Sequence, residues 1–443
     1  MVWVASASLP AGRQVADAVG RMITIKRSTR LPSEALPTGQ AGLAKEGGRS
    51  LQRFVGIFFG CPPHRLPART YRSVRAGKAM PPHLSFLVPS TAMARNVVIL
   101  STFLTPFRSG AEACAEEVSR VLKDRYDITI VTARLRRDLP KKDSINGVDV
   151  IRVGFGTPHD KWLFPLFGAL KASSLRVNII HAILESYAGL ALVFCRLFAP
   201  QAKRILTCQS TNTASLLKAM HRSAHRVTAI STVLVDRAKR FKKDAVLIPN
   251  GLRLSDIPVA EKIPGRILFV GRLETMKGVD VLLKAFAALP TLAREQASLR
   301  IVGDGSERSA LETLARELKV TDHVSFLGYV PTPAVYHEFA EAEIFCGLSR
   351  SEALGNVFLE AQAARCAVVA TKVGGIPDIV KDRATGLLVP PDDVDAACNA
   401  IETCLIDRSL AMKLAAAGKF HAQEYDWRSI AEKYAEVYEE VLG

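Results

Sequence analysis

The chain has 443 residues, 48% of them hydrophobic and 23% charged, with a formal net charge of +16. This length indicates two or three domains with enough apolar material for their cores. No run of about 18 uncharged apolar residues occurs, so the sequence predicts no transmembrane helix.

The eight cysteines form no C-x-x-C pair and no His/Cys cluster. Most of them stand among apolar neighbours, as free buried thiols do. The pattern disfavours a zinc site and a disulfide framework, and it indicates a reducing, cytoplasmic location.

The charge is distributed unevenly along the chain. Residues 1–92 carry +10, residues 93–250 carry +13 and residues 251–443 carry −7. Because basic surfaces attract anions, the middle block predicts contact with an anionic lipid surface or a phosphorylated acceptor. An ordinary solvated basic face is an equally good interpretation.

Residues 1–92 differ from the rest of the chain. They mix Pro, Gly, Arg and Ser without sustained periodicity, and residues 51–92 contain no acidic residue. We expect this segment to be disordered or to precede a natural start at Met93. An Arg-rich, acid-poor start is also typical of targeting peptides, but the scattered prolines and the length argue against a simple one.

From residue 93 onward, short apolar runs that predict buried strands alternate with segments of helix length. The first run is Val97–Ser101, and a second series begins after Pro249-Asn250-Gly251. Such alternation predicts βαβ units and parallel sheets.

The sequence therefore predicts an α/β protein with two doubly wound domains. Their expected bounds are 93–250 and 251–424, and a helix over 425–443 is expected to pack back on the first domain. Parallel sheets bind ligands at the carboxyl ends of their strands, so we expect a site in the cleft between the domains.

A loop of the second domain, Val270–Gly278, carries two cations. Arg272 and Lys277 follow a predicted strand and precede a predicted helix. Cations beside a helix N-terminus suit a diphosphate. Taken alone the signal is weak, because arginines and lysines in loops are commonly only solvated.

The segment 349–393 carries the strongest signal. The turn Gly355-Asn356-Val357 opens a predicted helix whose amides can face phosphate oxygens. Glu360 lies about one turn into that helix, and Glu352 lies in the loop before it. A carboxylate repels phosphate, so both glutamates suit the paired hydroxyls of a ribose or a hexose. Either one alone is compatible with an ordinary exposed glutamate.

Together these loops closely resemble the C-terminal domain of retaining GT-B glycosyltransferases of family 4, over Arg266–Tyr438. The resemblance rests on the G-R-L-x-x-x-K-G loop, the two glutamates eight positions apart and the V-G-G-I-P-D segment. It implies two facing Rossmann-like domains and a metal-independent transfer of a hexose. The implied donor is a UDP- or GDP-sugar, with no further cofactor, and the implied acceptor is a hydroxyl, for example on a lipid-linked or cell-envelope glycan.

The resemblance also implies roles for individual residues. Donor diphosphate would be bound by Arg272, Lys277, Gly110, Asn356 and Val357; ribose or sugar by Glu360 and Gly355; the base by Tyr329 and Val330; and Glu352 and His181 would be the catalytic residues.

The first domain resembles the family less closely. Ser109-Gly110-Ala-Glu matches the glycine-rich first loop. In the stretch Asn178–Ile183, where members carry D-x-x-H-x-H, only His181 remains. Gln209 stands where a histidine is common.

One metal motif and two other functions compete with this interpretation. Asp393-Val-Asp395 matches a D-x-D metal motif, but it follows two prolines at an expected helix start, where Asp is a good cap, so no metal site is predicted. A nicotinamide-dependent oxidoreductase would need G-x-G-x-x-G after a first strand, and the sequence after Val97–Ser101 does not contain that pattern. This function is therefore not expected. A catalytically degenerate sugar-nucleotide or membrane-binding relative remains as the alternative.

The middle block also suggests a location. Residues 222–226 and 237–243 are basic and lie near apolar residues, as in peripheral membrane contact. We expect a cytoplasmic protein that binds the inner face of an anionic membrane through its first domain. No nucleic-acid partner is expected.

Overall fold

The computed structural model describes residues 95–211 and 216–443. The expectations for residues 1–92 lie outside the described residues. Within the described ranges the chain forms two sheets covered by helices on both faces, so the prediction of two doubly wound α/β sheets is confirmed.

The first sheet has eight strands in the order β3-β4-β2-β1-β5-β6-β7-β8, and only β3 runs antiparallel to its neighbour. The strands are β1 (Asn96–Leu100), β2 (Asp127–Ala133), β3 (Lys142–Ile145), β4 (Val148–Val153), β5 (Ile179–Ile183), β6 (Lys203–Cys208), β7 (Arg226–Ala229) and β8 (Ala245–Leu247). Strands β1 and β5 are buried on both faces and apolar except for Asn96 and His181, as is typical of parallel strands under helices. The helices are α1 (Gly110–Leu122), α2 (Asp160–Ser174), α3 (Tyr187–Phe198), α4 (Leu217–Ser223) and α5 (Thr232–Arg240).

The second sheet has six parallel strands in the order β11-β10-β9-β12-β13-β14. They are β9 (Ile263–Val270), β10 (Ser298–Val302), β11 (Val324–Gly328), β12 (Ala342–Gly347), β13 (Ala367–Thr371) and β14 (Leu387–Val389). The helices after β8 are α6 (Val279–Ala287), α7 (Thr291–Glu295), α8 (Arg308–Glu317), α9 (Val335–Glu341), α10 (Asn356–Ala363), α11 (Ile376–Ile379), α12 (Val394–Ile406), α13 (Arg408–Ala422) and α14 (Trp427–Leu442). Short 3₁₀ turns cover Leu254–Asp256, Thr275–Lys277 and Gln423–Tyr425.

The last helix, α14, belongs to the core of the first sheet. Trp427, Tyr434 and Tyr438 are buried in one cluster with Val97 and Ile99 of β1. The chain between the sheets is tied to the start of this helix, since Leu252 N donates to Tyr425 O (2.9 Å) and Trp427 N donates to Leu252 O (3.2 Å).

The strand orders define where a ligand can enter. Successive strands lead away in opposite directions from the β1/β5 pair in the first sheet and from the β9/β12 pair in the second. Such switch points leave a crevice at the carboxyl ends of the strands. The loops after β1, β9 and β12 therefore border the candidate site.

Among the described residues no helix is long and apolar enough to cross a bilayer. The seven cysteines in the described ranges are all free and buried.

Candidate functional site

The crevice between β9 and β12 joins two of the predicted residues. Lys277 Nζ donates to Glu352 Oε2 at 2.5 Å, and both side chains are largely buried. Gly278 has φ +65°, and a Cβ there would lie 2.0 Å from Leu348 O. Only glycine therefore lets the Lys277 loop pack against the exit of β12.

The V-G-G-I-P-D segment fixes the backbone of Glu352. Gly375 N donates to Glu352 O at 3.1 Å. A Cβ on Gly374 (φ +55°) would lie 1.8 Å from Glu352 O, and one on Gly375 would lie 2.3 Å from Ala353 O. The two glycines thus give direct backbone packing, which explains why this motif accompanies Glu352.

Helix α10 starts at Asn356 with Gly355 as its N-cap, in the left-handed conformation at φ +91°. A glycine supplies no capping side chain, so the first amides of this helix can bind an anion. Across the cleft lies the N-terminus of α1. A Cβ on Gly110 would lie only 3.0 Å from Asn356 Nδ2, so two positive helix ends face each other.

A pair of buried amides supports this junction. Gln209 and Asn250 exchange two hydrogen bonds of 3.0 Å, and Asn250 Nδ2 also donates to Asn356 Oδ1 at 3.4 Å. No role was predicted from the sequence for either residue. The available signals were their positions, Gln209 directly after β6 and Asn250 in the Pro-Asn-Gly linker.

Glu360 lies on α10, half-buried in the cleft wall. Desolvation raises the pKa of its carboxyl to about 7, and the charge of Arg108 opposes that shift. Arg108, for which no role was predicted from the sequence, precedes α1 and pairs with Glu116 (3.0 Å) and Glu117 (3.2 Å). A cation of the first sheet therefore acts on a carboxyl of the second.

Three predicted residues line the outer part of the second sheet's carboxyl edge. Arg272 pairs with Glu274 at 2.5 Å and keeps 47% of its side chain exposed. Tyr329 is exposed in the loop after β11, whereas Val330 packs against the core. All three follow strands of the second sheet at the same edge as Lys277 and Glu352.

His181 is not in the cleft, and the prediction that placed it there is wrong. It is fully buried on β5, where Nδ1 lies 2.8 Å from Tyr438 Oη and Nε2 lies 2.6 Å from Thr207 Oγ1. Desolvation lowers the pKa of its imidazole to about 3, so the ring is neutral. Its partners are structural, and it cannot touch a substrate.

A direct contact between the two domains lies beside Glu352. Asp378 of the V-G-G-I-P-D segment accepts hydrogen bonds from Thr232 N (2.7 Å) and Thr232 Oγ1 (2.9 Å) at the start of α5. The carboxylate caps a helix of the opposite domain, where the helix dipole favours negative charge. This bond links the two domains beside Glu352.

One group in the described part of the chain has the geometry of metal ligands: Glu185, Cys208 and His221 offer atoms within 4.8 Å of one another. The Glu185 carboxylate is already occupied, because it pairs with Arg237 and accepts from the amides of Gln209 (2.7 Å) and Ser210 (3.3 Å). An adjacent guanidinium repels a metal cation, so we do not propose a metal there.

Two sequence interpretations are decided by neighbouring contacts. Asp393 accepts from Ala396 N at 2.8 Å and is the N-cap of α12, which confirms its interpretation as a cap. Within the basic segment 237–243, for which membrane contact was predicted, Arg237 does not face outward, because its side chain is 11% exposed and lies against Glu185.

Two family models match the chain next to each other. "Glycosyltransferase Family 4" matches residues 108–256 and "Glycosyl transferases group 1" matches residues 256–421. The two ranges contain every residue of the crevice described above. This chain belongs to the family 4 (group 1) glycosyltransferases.

Similar proteins agree with this assignment. An uncharacterised glycosyltransferase of Methanocaldococcus jannaschii is 27% identical over 74% of this chain and 94% of its own length. A GDP-mannose-dependent alpha-(1-6)-phosphatidylinositol monomannoside mannosyltransferase of Mycobacterium tuberculosis is 37% identical, over 38% of this chain and 46% of its own length. The match thus spans less than half of the mycobacterial enzyme.

Solved structures share the fold. Sucrose-phosphate synthase from Thermosynechococcus elongatus has a TM-score of 0.69 at 21% identity, covering 78% of this chain and 99% of that one. Anabaena HepE in complex with UDP-glucose has a TM-score of 0.64 at 18% identity, covering 78% and 99%. The predicted GT-B fold is confirmed, and this glycosyltransferase is an enzyme that uses a nucleotide-sugar donor.

Proposed function

We propose that this glycosyltransferase moves a hexose, with retention of configuration, from a UDP- or GDP-sugar to a hydroxyl of a lipid-linked or cell-envelope glycan. The observation that carries the proposal is the opposition of two helix N-termini, Gly110 of α1 and Asn356 of α10, beside the Lys277–Glu352 pair. Two positive helix ends with a partly buried lysine beside them form a site for a diphosphate.

The diphosphate is placed between α1 and α10. There the amides of Asn356 and Val357 donate to its oxygens, and Lys277 and Arg272 neutralise the charge that grows as it departs. Preorganised charges and amides of this kind usually make the largest contribution to such catalysis. Gly110 allows the start of α1 to approach the Asn356 side chain, since a Cβ there would lie 3.0 Å from Asn356 Nδ2.

The two carboxylates receive hydroxyl groups. Glu352 lies at the transferred sugar, where sugar hydroxyls compete with Lys277 for its oxygens. Glu360 accepts the ribose hydroxyls from its place on α10, and the base rests near Tyr329 and Val330. Half-buried carboxylates suit paired hydroxyls because they are strong acceptors that lack competing water.

The reaction needs no protein nucleophile. The bond between the anomeric carbon and the diphosphate breaks, the acceptor oxygen bonds to the same face of that carbon, and the acceptor proton passes to a departing phosphate oxygen. The chain's residues bind, orient and neutralise, and the proposal assigns no metal to the step.

The transfer is tested with labelled donors. The names of the similar proteins mention GDP-mannose and UDP-glucose, so these two are the first donors to incubate with the full-length chain. We expect one of them to release nucleoside diphosphate, and NMR of the product to show the donor's anomeric configuration. Inversion at the anomeric carbon would overturn the retaining mechanism.

A catalytically degenerate relative is the second candidate, and the loss of the histidine expected near Gln209 favours it. Binding of a donor without hydrolysis or transfer to any acceptor would support this candidate against the transferase. We also propose a cytoplasmic enzyme at the inner face of a membrane, supported by the basic first domain.

A further inference from the structure

Large apolar side chains are exposed together on the outer helices of the first domain. Four of them form a stripe on α2: Trp162, Leu163, Leu166 and Leu170. At 100° per residue these positions fall within about a 100° arc of the helix. The opposite side of α2, with Phe164, Gly168 and Ala172, is buried against the sheet.

The outer face of α2 is thus apolar where a surface helix normally carries polar residues. The stripe continues beyond the helix. Phe155, 67% exposed, packs edge-on against Phe167, and α3, which packs beside α2, exposes Leu197. Exposed apolar side chains grouped on neighbouring elements in this way indicate an interaction surface.

The segment that forms this face is strongly basic, and Asp143, an exposed acid on the neighbouring β3, is paired with Arg152 (2.7 Å). Between Asp149 and Asp236 the sequence contains two acidic residues, Asp160 and Glu185, and both are buried. The same stretch contains ten lysines and arginines, of which Arg152 and Arg204 are buried. The face therefore attracts an anionic partner, while a second copy of the same face would be repelled.

A groove of about 530 Å³ combines both properties. It lies between β4 and α2, with Phe155 and Leu170 as apolar walls and Lys141 and Lys171 as cations. Apolar walls under cations match a lipid, whose acyl chains and anionic headgroup need the two kinds of contact at different depths.

The face adjoins the catalytic cleft. Phe155 follows the carboxyl end of β4, and Trp162 lies in the first turn of α2 with its ring edge-on to Tyr187, 5.0 Å away. Tyr187 begins α3 directly after β5. These aromatic residues lie on the same edge of the first sheet as the loop that leads to Gly110.

We propose that the α2 face docks on an anionic lipid bilayer and holds the cleft at its surface. Trp162 and the leucines enter the headgroup layer, and the surrounding lysines and arginines bind anionic headgroups. Resting on the proposed transferase function, this docking also implies that the acceptor hydroxyl belongs to a molecule anchored in that bilayer.

Co-sedimentation of the full-length chain with vesicles tests the docking. The vesicles are of phosphatidylcholine alone or of phosphatidylcholine mixed with phosphatidylglycerol. We expect binding to the mixed vesicles that weakens with salt, and a loss of about tenfold or more in affinity for the double variant Leu166→Glu/Leu170→Glu. The matched control is Met412→Glu/Phe420→Glu on α13, two similarly exposed apolar residues outside this face, and it should bind as wild type does.

Three results would overturn the docking. These are no binding of the wild type to mixed vesicles, equal binding to both vesicle types, and equal loss in the control. Self-association that only the Leu166/Leu170 variant abolishes, without vesicle binding, would assign the face to a protein contact instead. Hydrolysis of the donor without lipid, measured on the same samples, tests the transferase separately, so each proposal can fail alone.

Discussion

Folding disfavours the ionised form of the Glu360 carboxyl. Desolvation raises its pKa from 4.5 to about 7, with Arg108 opposing the shift. A raised carboxyl pKa means that the unfolded chain ionises first, so this group lowers stability as pH rises from about 4.5 and its full cost is present above pH 7. Such a cost is expected where a carboxylate is kept for a ligand.

Glu360→Gln should therefore stabilise the ligand-free protein and weaken donor binding. We expect a gain of about 1 kcal/mol at pH 8 and less at pH 5, reduced from the full shift because the group is partly exposed. Thermal melts at both pH values, with and without donor, measure the two effects. If the donor raises the melting temperature of the variant as much as that of the wild type, Glu360 does not bind the ribose.

His181 should matter for stability and not for binding. Removing its ring leaves a cavity and unpaired hydroxyls on Tyr438 and Thr207, so His181→Ala should cost about 2–4 kcal/mol. The folded variant should retain wild-type affinity for the nucleotide. Unchanged melting together with lost turnover would return His181 to the active site.

Lys277, Glu352 and His181 show which parts of the site can be predicted from sequence alone. Lys277 and Glu352 lie in loops after strands, and their meeting follows from the parallel sheet. His181 could not be placed, because its neighbour Tyr438 lies 257 positions away on the last helix. The Gln209–Asn250 pair was missed for a similar reason, since neutral amides 41 positions apart leave no pattern.

At the scale of elements, the glycines of the site have different structural roles. Gly374 allows the loop after β13 to touch the backbone of Glu352, and Gly355 turns the chain into α10. The motif spacing predicted both loops. Their packing on one another could not be predicted, because it depends on backbone distances that only the folded sheet sets.

Gly374→Ala should misplace Glu352. The new Cβ would meet Glu352 O at 1.8 Å, and a shift of about 1 Å in a catalytic group can cost roughly a hundredfold in turnover. The control is Gly147→Ala, also at positive φ (+75°), where the nearest group is the flexible end of Lys123. Equal turnover for the two variants, measured by diphosphate release, would contradict the role of this packing.

At the scale of the whole molecule, the two domains are joined by the linker at Leu252, by α14 and by the Asp378–Thr232 bond. The alternation of strands and helices predicted both sheets. The order of the strands needed the structure, because apolar runs of similar length carry no record of their neighbours.

Asp378→Asn should loosen the approach of the domains. An amide is an uncharged and weaker acceptor, and its NH₂ group can only donate, so we expect donor affinity to fall about five- to tenfold with little change in folding. Asp395→Asn, an exposed residue of α12, is the matched control. A wild-type affinity for the Asp378 variant would show that the bond does not contribute to donor binding.

The central claim is that a nucleotide diphosphate binds between α1 and α10 beside Lys277. Titration calorimetry of UDP and GDP against the wild type, Lys277→Ala and the exposed control Lys413→Ala tests it most directly. We predict that the wild type and the control bind one of the two nucleotides. Lys277→Ala should bind that nucleotide about 10- to 100-fold more weakly, because the substitution removes a partly buried cation from the diphosphate site. Equal affinity of all three proteins for the nucleotide would contradict the account.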